Sequence, residues 1–231
     1  MIHYKFQVTW TFLSVIAIFA GAVLIYAQVV RPWLLAWGAK PAEAARTLPG
    51  DALLPEVPSS ATRAITIDAP PEGVWPWIAQ IGQGKGGFYS YAWLENLFGC
   101  RIANADEIHP EWQDVKIGDL VCLHPKMPGL PVTLVEQNRA LVLGGDGIAE
   151  RHIPPVTWAF VVEPAAHNST RLLIRWRSRT PPTLYDLTFN KYLLEPIHFM
   201  MERKMMLGIR KRAEPRLAKS ATSPAGRFGV S

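Results

Sequence analysis

Cysteine is nearly absent: the 231 residues hold two, Cys100 and Cys122. Two thiols make no disulfide framework, and these show no metal-ligand spacing, so neither a stapled scaffold nor a metal module is expected. Internal repeats are lacking as well, which excludes solenoids and propellers. The six histidines are scattered, with no triad and no nucleophile elbow among them. The widest gap is in charge. From Gln7 to Val30 no residue is charged.

That gap holds the run "VTWTFLSVIAIFAGAVLIYAQVV", 23 residues long. As a helix it measures roughly 35 Å, enough to cross the hydrocarbon layer of a bilayer. Trp10 lies near one end, with Tyr26, Trp33 and Trp37 at or beyond the other, where interfacial aromatics belong. A cleaved signal peptide would have a shorter apolar region, about 7–15 residues, with a charged front and small residues at the cut. Here the front holds only Lys5, and Ala27 is a poor cut site. The reading is a retained single-pass anchor over 1–37. Lys5 stands on the short side and Arg31, Lys40 and Arg46 on the long side, so the positive-inside tendency places the soluble part in the cytoplasm.

The formal net charge is +5, and much of the excess comes late, in "RWRSR" at 175–179 and from Arg203 to Lys219. Such a surface near a membrane attracts anionic headgroups, although a solvated helix face and tail is the plainer account. No nucleic-acid-binding module is present, so nucleic acid is not expected as a partner.

Residues 38–60 are rich in Pro, Ala and Gly with poor periodicity, and read as a tether. From 61 the pattern becomes that of a folded domain. "TRAITID" alternates as a half-buried strand, and Pro70-Pro71-Glu72 opens a helix that Gly82 ends. A second short helix is expected over "SYAWLENLFG", capped by Ser90 and stopped at Gly99. Strands are then expected at 119–124, 131–137, 140–145, 156–164 and 170–179, the last two joined by a hairpin turn through His167. From Leu184 to Ala213 the period is helical, with Leu187, Leu194, Ile197, Met201, Met205 and Gly208 on one side. Pro196 forces a break or kink near Glu195, because a mid-helix proline costs about 3 kcal/mol. The region 214–231 reads as a disordered tail.

Strand, two short helices, a strand meander and one long helix form the order of the helix-grip fold. The chain resembles the SRPBCC superfamily (START lipid-transfer, pollen-allergen-like and polyketide cyclase/dehydrase proteins), closest to bacterial members with an N-terminal membrane segment. The resemblance lies in "ITIDAPPEGVWPWIAQIGQGKGGFYSYAWLENLFG", "NADEIHPEWQDVKIGD" and "LLEPIHFMMERKMMLGIRKRAE", and covers about 61–213. It implies an α+β domain in which a curved antiparallel sheet wraps a long C-terminal helix, with an apolar cavity between them. The superfamily hosts carriers, sensors and cyclases, so the resemblance leaves activity open.

The glycine-rich stretch "GQGKGGFYSY" fits no phosphate-binding pattern: Lys85 is followed by Gly86 where a hydroxyl is needed, and a helix precedes it where a strand should. It reads either as a packed structural loop or as a gate, with Phe88, Tyr89 and Tyr91 facing a pocket. "NADEIHPEWQD" brings Asp106 and His109 together, residue types suited to acid–base work, though acidic turn residues are usually solvated or capping. Trp112 beside them is either a core anchor or a ligand contact. Met201 and Met205, with Ile197, would give the long helix an adaptable apolar wall, and Trp158, Phe160 and Trp176 would face it from the late strands. Ordinary core filling accounts for the same residues.

Three functions stay open. The first is a membrane-tethered binding module for a hydrophobic small molecule or lipid. The second is a cyclase or dehydratase acting on a polyketide-like or other carbonyl substrate through Lys85, Tyr89 or Tyr91 with Asp106 or His109. The third is a membrane-anchored interaction protein without a ligand. No cofactor and no metal is called for by any of them.

Overall fold

The computed structural model describes residues 2–147, 155–179, 183 and 186–214. An apolar helix α1 (Ile2–Ile25) continues through a π-helical turn (Tyr26–Val30) into α2 (Arg31–Leu35). A short α3 (Pro41–Ala45) follows, then β1 (Ser59–Ile67), α4 (Pro71–Ala79) and α5 (Ala92–Leu97). The meander comprises β2 (Leu120–Val121), β3 (Leu130–Glu136), β4 (Ala140–Gly145), β5 (Val156–Ala165) and β6 (Ser169–Ser178). A π-helical run (Asp186–Leu194) leads into the long α6 (Glu195–Ala213). The expected tail from residue 215, like His152, lies outside the described residues.

The six strands form one antiparallel sheet in the order β1-β6-β5-β4-β3-β2. Closing the first strand against the last bends the sheet across α4 and α6, which is the helix-grip arrangement. The break expected at Pro196 is there: the helix changes from π to α at Glu195, with the proline in the first turn of α6, where its missing N–H costs no bond. The β5–β6 hairpin turns through His167 and Asn168, both at φ 57°.

Alternation sends Ile65, Ile67, Trp158, Phe160, Val162, Leu172 and Ile174 to the inner face, where they meet Trp75, Ile78, Met205, Met206 and Ile209. The outer face is also buried, which an antiparallel sheet does not require. Its cover is the segment read as a tether. Leu48 packs with Ala64, Val161 and Leu173, and Gly50, at φ 90°, lies against Val142. Arg175, on β6, ties the cover down. It donates to the carbonyls of Glu43, Ala44 and Arg46, to Thr62 Oγ1 at 2.8 Å and to Asp51 Oδ2 at 2.5 Å. Arg171 makes a two-pronged bond to Glu43 at 2.8 and 2.7 Å. Residues 38–55 are therefore a docked cover over the sheet, because most of these guanidinium donors find their acceptors on this segment.

The apolar helix is fixed to the domain at its far end. Arg31 pairs with Glu195 through two bonds of 2.7 and 2.9 Å, and Trp33 packs edge-on against Phe199 at 5.4 Å. Trp10–Leu35 is long and apolar enough to cross a membrane, and its most apolar stretch is not buried against the rest of the protein.

Candidate functional site

The inner face is not filled. Between the sheet, α5 and α6 lies an apolar cavity of about 220 Å³. Trp158 and Trp176 are cross-strand partners on β5 and β6, with ring centroids 6.0 Å apart, and form its floor. Met201 and Met205, one turn apart on α6, form the roof with His198 and Glu202. Phe88 and Ser90 from the glycine-rich loop, Glu95 from α5, and Ile102 and Leu123 complete it. A larger cavity of about 490 Å³, of mixed polar and apolar lining, adjoins it and shares Trp176 and His198. That cavity lies between the end of α2, the β1–β6 edge and residues 190–195, and Arg31, Arg63, Lys191 and Glu195 line it.

Four ionisable side chains shape this region. Arg63 and Glu202 form an ion pair almost wholly withdrawn from solvent. Arg63 also donates to the Leu34 carbonyl at 2.8 Å and stacks on Phe199, while Glu202 accepts a bond of 3.0 Å from Trp158 Nε1. Each charge thus has a second partner, as a buried pair requires. Burial pushes the His198 imidazole below its usual range against the opposing pull of Glu202, so the ring is neutral at pH 7. Burial pushes the Glu95 carboxyl up, with a bond from Ser90 acting the other way, and its Oε2 is a buried oxygen with no hydrogen-bond partner. An apolar chamber with one carboxyl-bearing side chain and one neutral imidazole in its lining suits a guest that is mostly hydrocarbon with a single polar group.

Of the residues read as ligand contacts, Phe88, Trp158, Trp176, Met201 and Met205 do line the cavity. Phe160 is fully buried in the core and Ile197 lies one turn before Met201 on α6, and neither lines the cavity. Tyr89 is a correction. Its ring packs edge-on to Trp77 at 5.8 Å beneath the Arg212 guanidinium, and its hydroxyl donates to the Trp77 carbonyl. Burial pushes that phenol up to about 12, which removes it from acid–base work. Tyr91 lies under the Lys204 ammonium, and Trp112 stacks on His109 at 4.1 Å, both away from the cavity lining. The remaining acid–base candidates fare likewise. Asp106 pairs with Arg212, His109 with Glu111, and Lys85 lines neither inner cavity.

The glycine-rich loop is a packed element. Gly82 and Gly87 bond to each other reciprocally at 3.0 Å. A Cβ on Gly86 would meet the Tyr89 hydroxyl at 2.6 Å, so only glycine fits that turn. The loop's job is to carry Phe88 into the cavity with Tyr89 as its anchor. Ser90, expected to cap α5, makes no cap bond, and its hydroxyl lies between Glu95 and Met201 Sδ, 3.5 Å from the sulfur.

Arg63, Glu95, His198 and Glu202 were missed by the sequence reading. Two of them carried a signal. Arg63 has the parity of Ile65 and Ile67, so alternation places it inward, and Glu202 falls on the stripe of Phe199, Met205, Met206 and Ile209. Among the described residues, no group of three or more His, Cys, Asp or Glu is placed to hold a metal ion.

No family model matches the chain, and no curated protein matches it. Several solved structures overlap with it in part. MLL2253 from Mesorhizobium loti is 14% identical, with 67% of this chain and 96% of that chain covered, at a TM-score of 0.39. CalU16 from Micromonospora echinospora is 13% identical over 67% of this chain and 83% of its own, at 0.33. The KanY protein is 11% identical over 67% and 97%, at 0.42. Overlaps of this depth carry no argument, and the fold rests on the strand order and helix placement above.

Proposed function

We propose that the chain is a membrane-tethered member of the SRPBCC superfamily that binds a hydrophobic small molecule or lipid between its sheet and its C-terminal helix, with the domain on the cytoplasmic side. The observation that carries this is the apolar cavity with Glu95 in its lining. A chamber of that lining accepts an oily guest, and the carboxyl orients it through one hydrogen bond. The tether adds proximity, because a domain held at the bilayer sees a high local concentration of apolar guests. The cavities weigh against a docking module with a solid core.

The test is native mass spectrometry of the full chain released from polymer-bounded membrane discs. The wild type should carry a small molecule, and Met201→Trp, which fills the cavity, should lose it. Identical spectra for the two proteins would end the proposal.

A second reading is favoured by one observation: Glu95 and His198 on the same cavity are pushed toward their neutral forms from opposite directions. A protonated carboxyl can polarise a guest carbonyl while a neutral imidazole accepts a proton. This cyclase-like chemistry moves the acid–base pair from Lys85, Tyr89, Tyr91, Asp106 and His109 to Glu95 and His198. Chemical change of the retained guest that disappears in Glu95→Gln would support it.

A further inference from the structure

We propose that residues 186–194 are a second membrane contact, a helical segment seated in the headgroup layer of the bilayer beside the end of the N-terminal helix. The inference rests on the membrane-tethered reading and adds a location that the reading does not contain.

Depth is the first argument. Arg31 is the first charge after the uncharged run and marks where the helix returns to polar surroundings. Tyr26 lies five positions earlier, about 7 Å deeper at 1.5 Å per residue. Its hydroxyl donates to the Lys191 carbonyl at 2.7 Å, and its ring lies 5.0 Å from that of Tyr192. Residues 191 and 192 are therefore held at the depth of Tyr26, below the level of Arg31. Helices that lie in a membrane surface bury their apolar side by about 5–10 Å.

Composition is the second argument. Phe189, Tyr192, Leu193 and Leu194 all stand exposed. Four exposed apolar side chains in six residues are unfavourable in water and favourable against acyl chains. Tyr192 meets Tyr26 of the apolar helix, which gives the segment the same neighbour, lipid. The ammonium of Lys191 lies over the Tyr192 ring at 5.7 Å, within reach of the phosphate level by the length of its stem. The two bonds from Arg31 to Glu195 fix the segment to the helix end at this height.

The larger cavity is lined by Asn190, Lys191 and Leu194 as well as Arg31. With 186–194 in the headgroup layer, that cavity opens at the bilayer surface, and a guest reaches the apolar chamber from the membrane.

The experiment uses the wild-type full chain in phosphatidylcholine nanodiscs containing a lipid with a diazirine near the glycerol end of one acyl chain. After irradiation, the labelled peptides are identified by mass spectrometry. The expected result is comparable labelling on 10–30 and 186–194, with loss of labelling on 110–119, a loop that exposes Ile117 yet belongs to neither contact. Labelling of 10–30 alone would overturn the second contact and leave the tether standing. No labelling on 10–30 would remove both. Equal labelling of all three segments would show indiscriminate capture by exposed apolar side chains, and would also overturn the proposal.

Discussion

Both faces of the sheet are buried, and both bury an arginine, but the two are finished differently. On the outer face, Arg175 has five acceptors of its own, four of them from the cover of residues 38–55, and an open cleft of about 400 Å³ runs beside it between cover and strands. On the inner face, Arg63 has one carboxylate, one carbonyl and one aromatic ring, and open space lies next to it. The outer arginine holds a distant backbone segment through three carbonyls, whereas the inner one holds a single carboxylate on α6 beside the apolar chamber, although the adjacent strands β1 and β6 supply them.

The largest effect should come from Arg175→Met. It leaves the largely buried Asp51 carboxylate with only the Arg177 guanidinium and the Leu48 N–H, and strips three backbone carbonyls of their donor, a loss of about 2–4 kcal/mol. Chemical denaturation in nanodiscs measures it, with proteolysis at 38–55 as the local readout. A loss under about 1 kcal/mol would mean that the cover is dispensable and that the contrast between the faces is false.

Glu202→Gln should cost less, about 1–3 kcal/mol, since the amide still accepts from Trp158 and water in the adjoining cavity can solvate Arg63. If it cost as much as Arg175→Met, the contrast between the two arginines would fail.

The smallest effects are those of pH, and they separate the faces by window. His198 has a lowered folded-state pKa, so its contribution is complete above the unfolded value of 6.5 and is lost as pH falls through the folded value. Glu43, held by Arg171, has a folded pKa of about 2, so its contribution is complete above 4.5 and is lost between there and 2. With screening of this peripheral pair, the Glu43 contribution is about 1 kcal/mol. Hydrogen exchange should therefore show α6 loosening below pH 6.5 while the 38–55 cover holds until below 4.5. Simultaneous loosening would erase the distinction.

Much of the fold was legible along the chain. The alternation at 156–164 and 170–179 placed β5 and β6 within a residue of where they lie, and Pro196 located the start of α6. The candidate site was legible only in part. Trp158, Trp176, Met201 and Met205 followed from the parity of strands and the period of a helix, whereas Tyr89 and Tyr91 were assigned to a pocket on ring chemistry alone. Ring chemistry is silent on direction. Tyr89 sits at φ 54°, and that backbone turn sends its side chain down beside Trp77.

By itself, the sequence determined the uncharged helix, the spans of β3 to β6 to within a residue and the change of helix at Pro196, because each depends on residues within a few positions of one another, whereas the strand expected at 119–124 shrinks to Leu120–Val121. Only the tertiary structure decided that 38–55 covers the sheet, that Arg63 meets Glu202 across 139 positions, and that α6 leaves a cavity beneath it. Those outcomes depend on which distant groups complement one another in shape and charge, and local periodicity carries no information about distant partners.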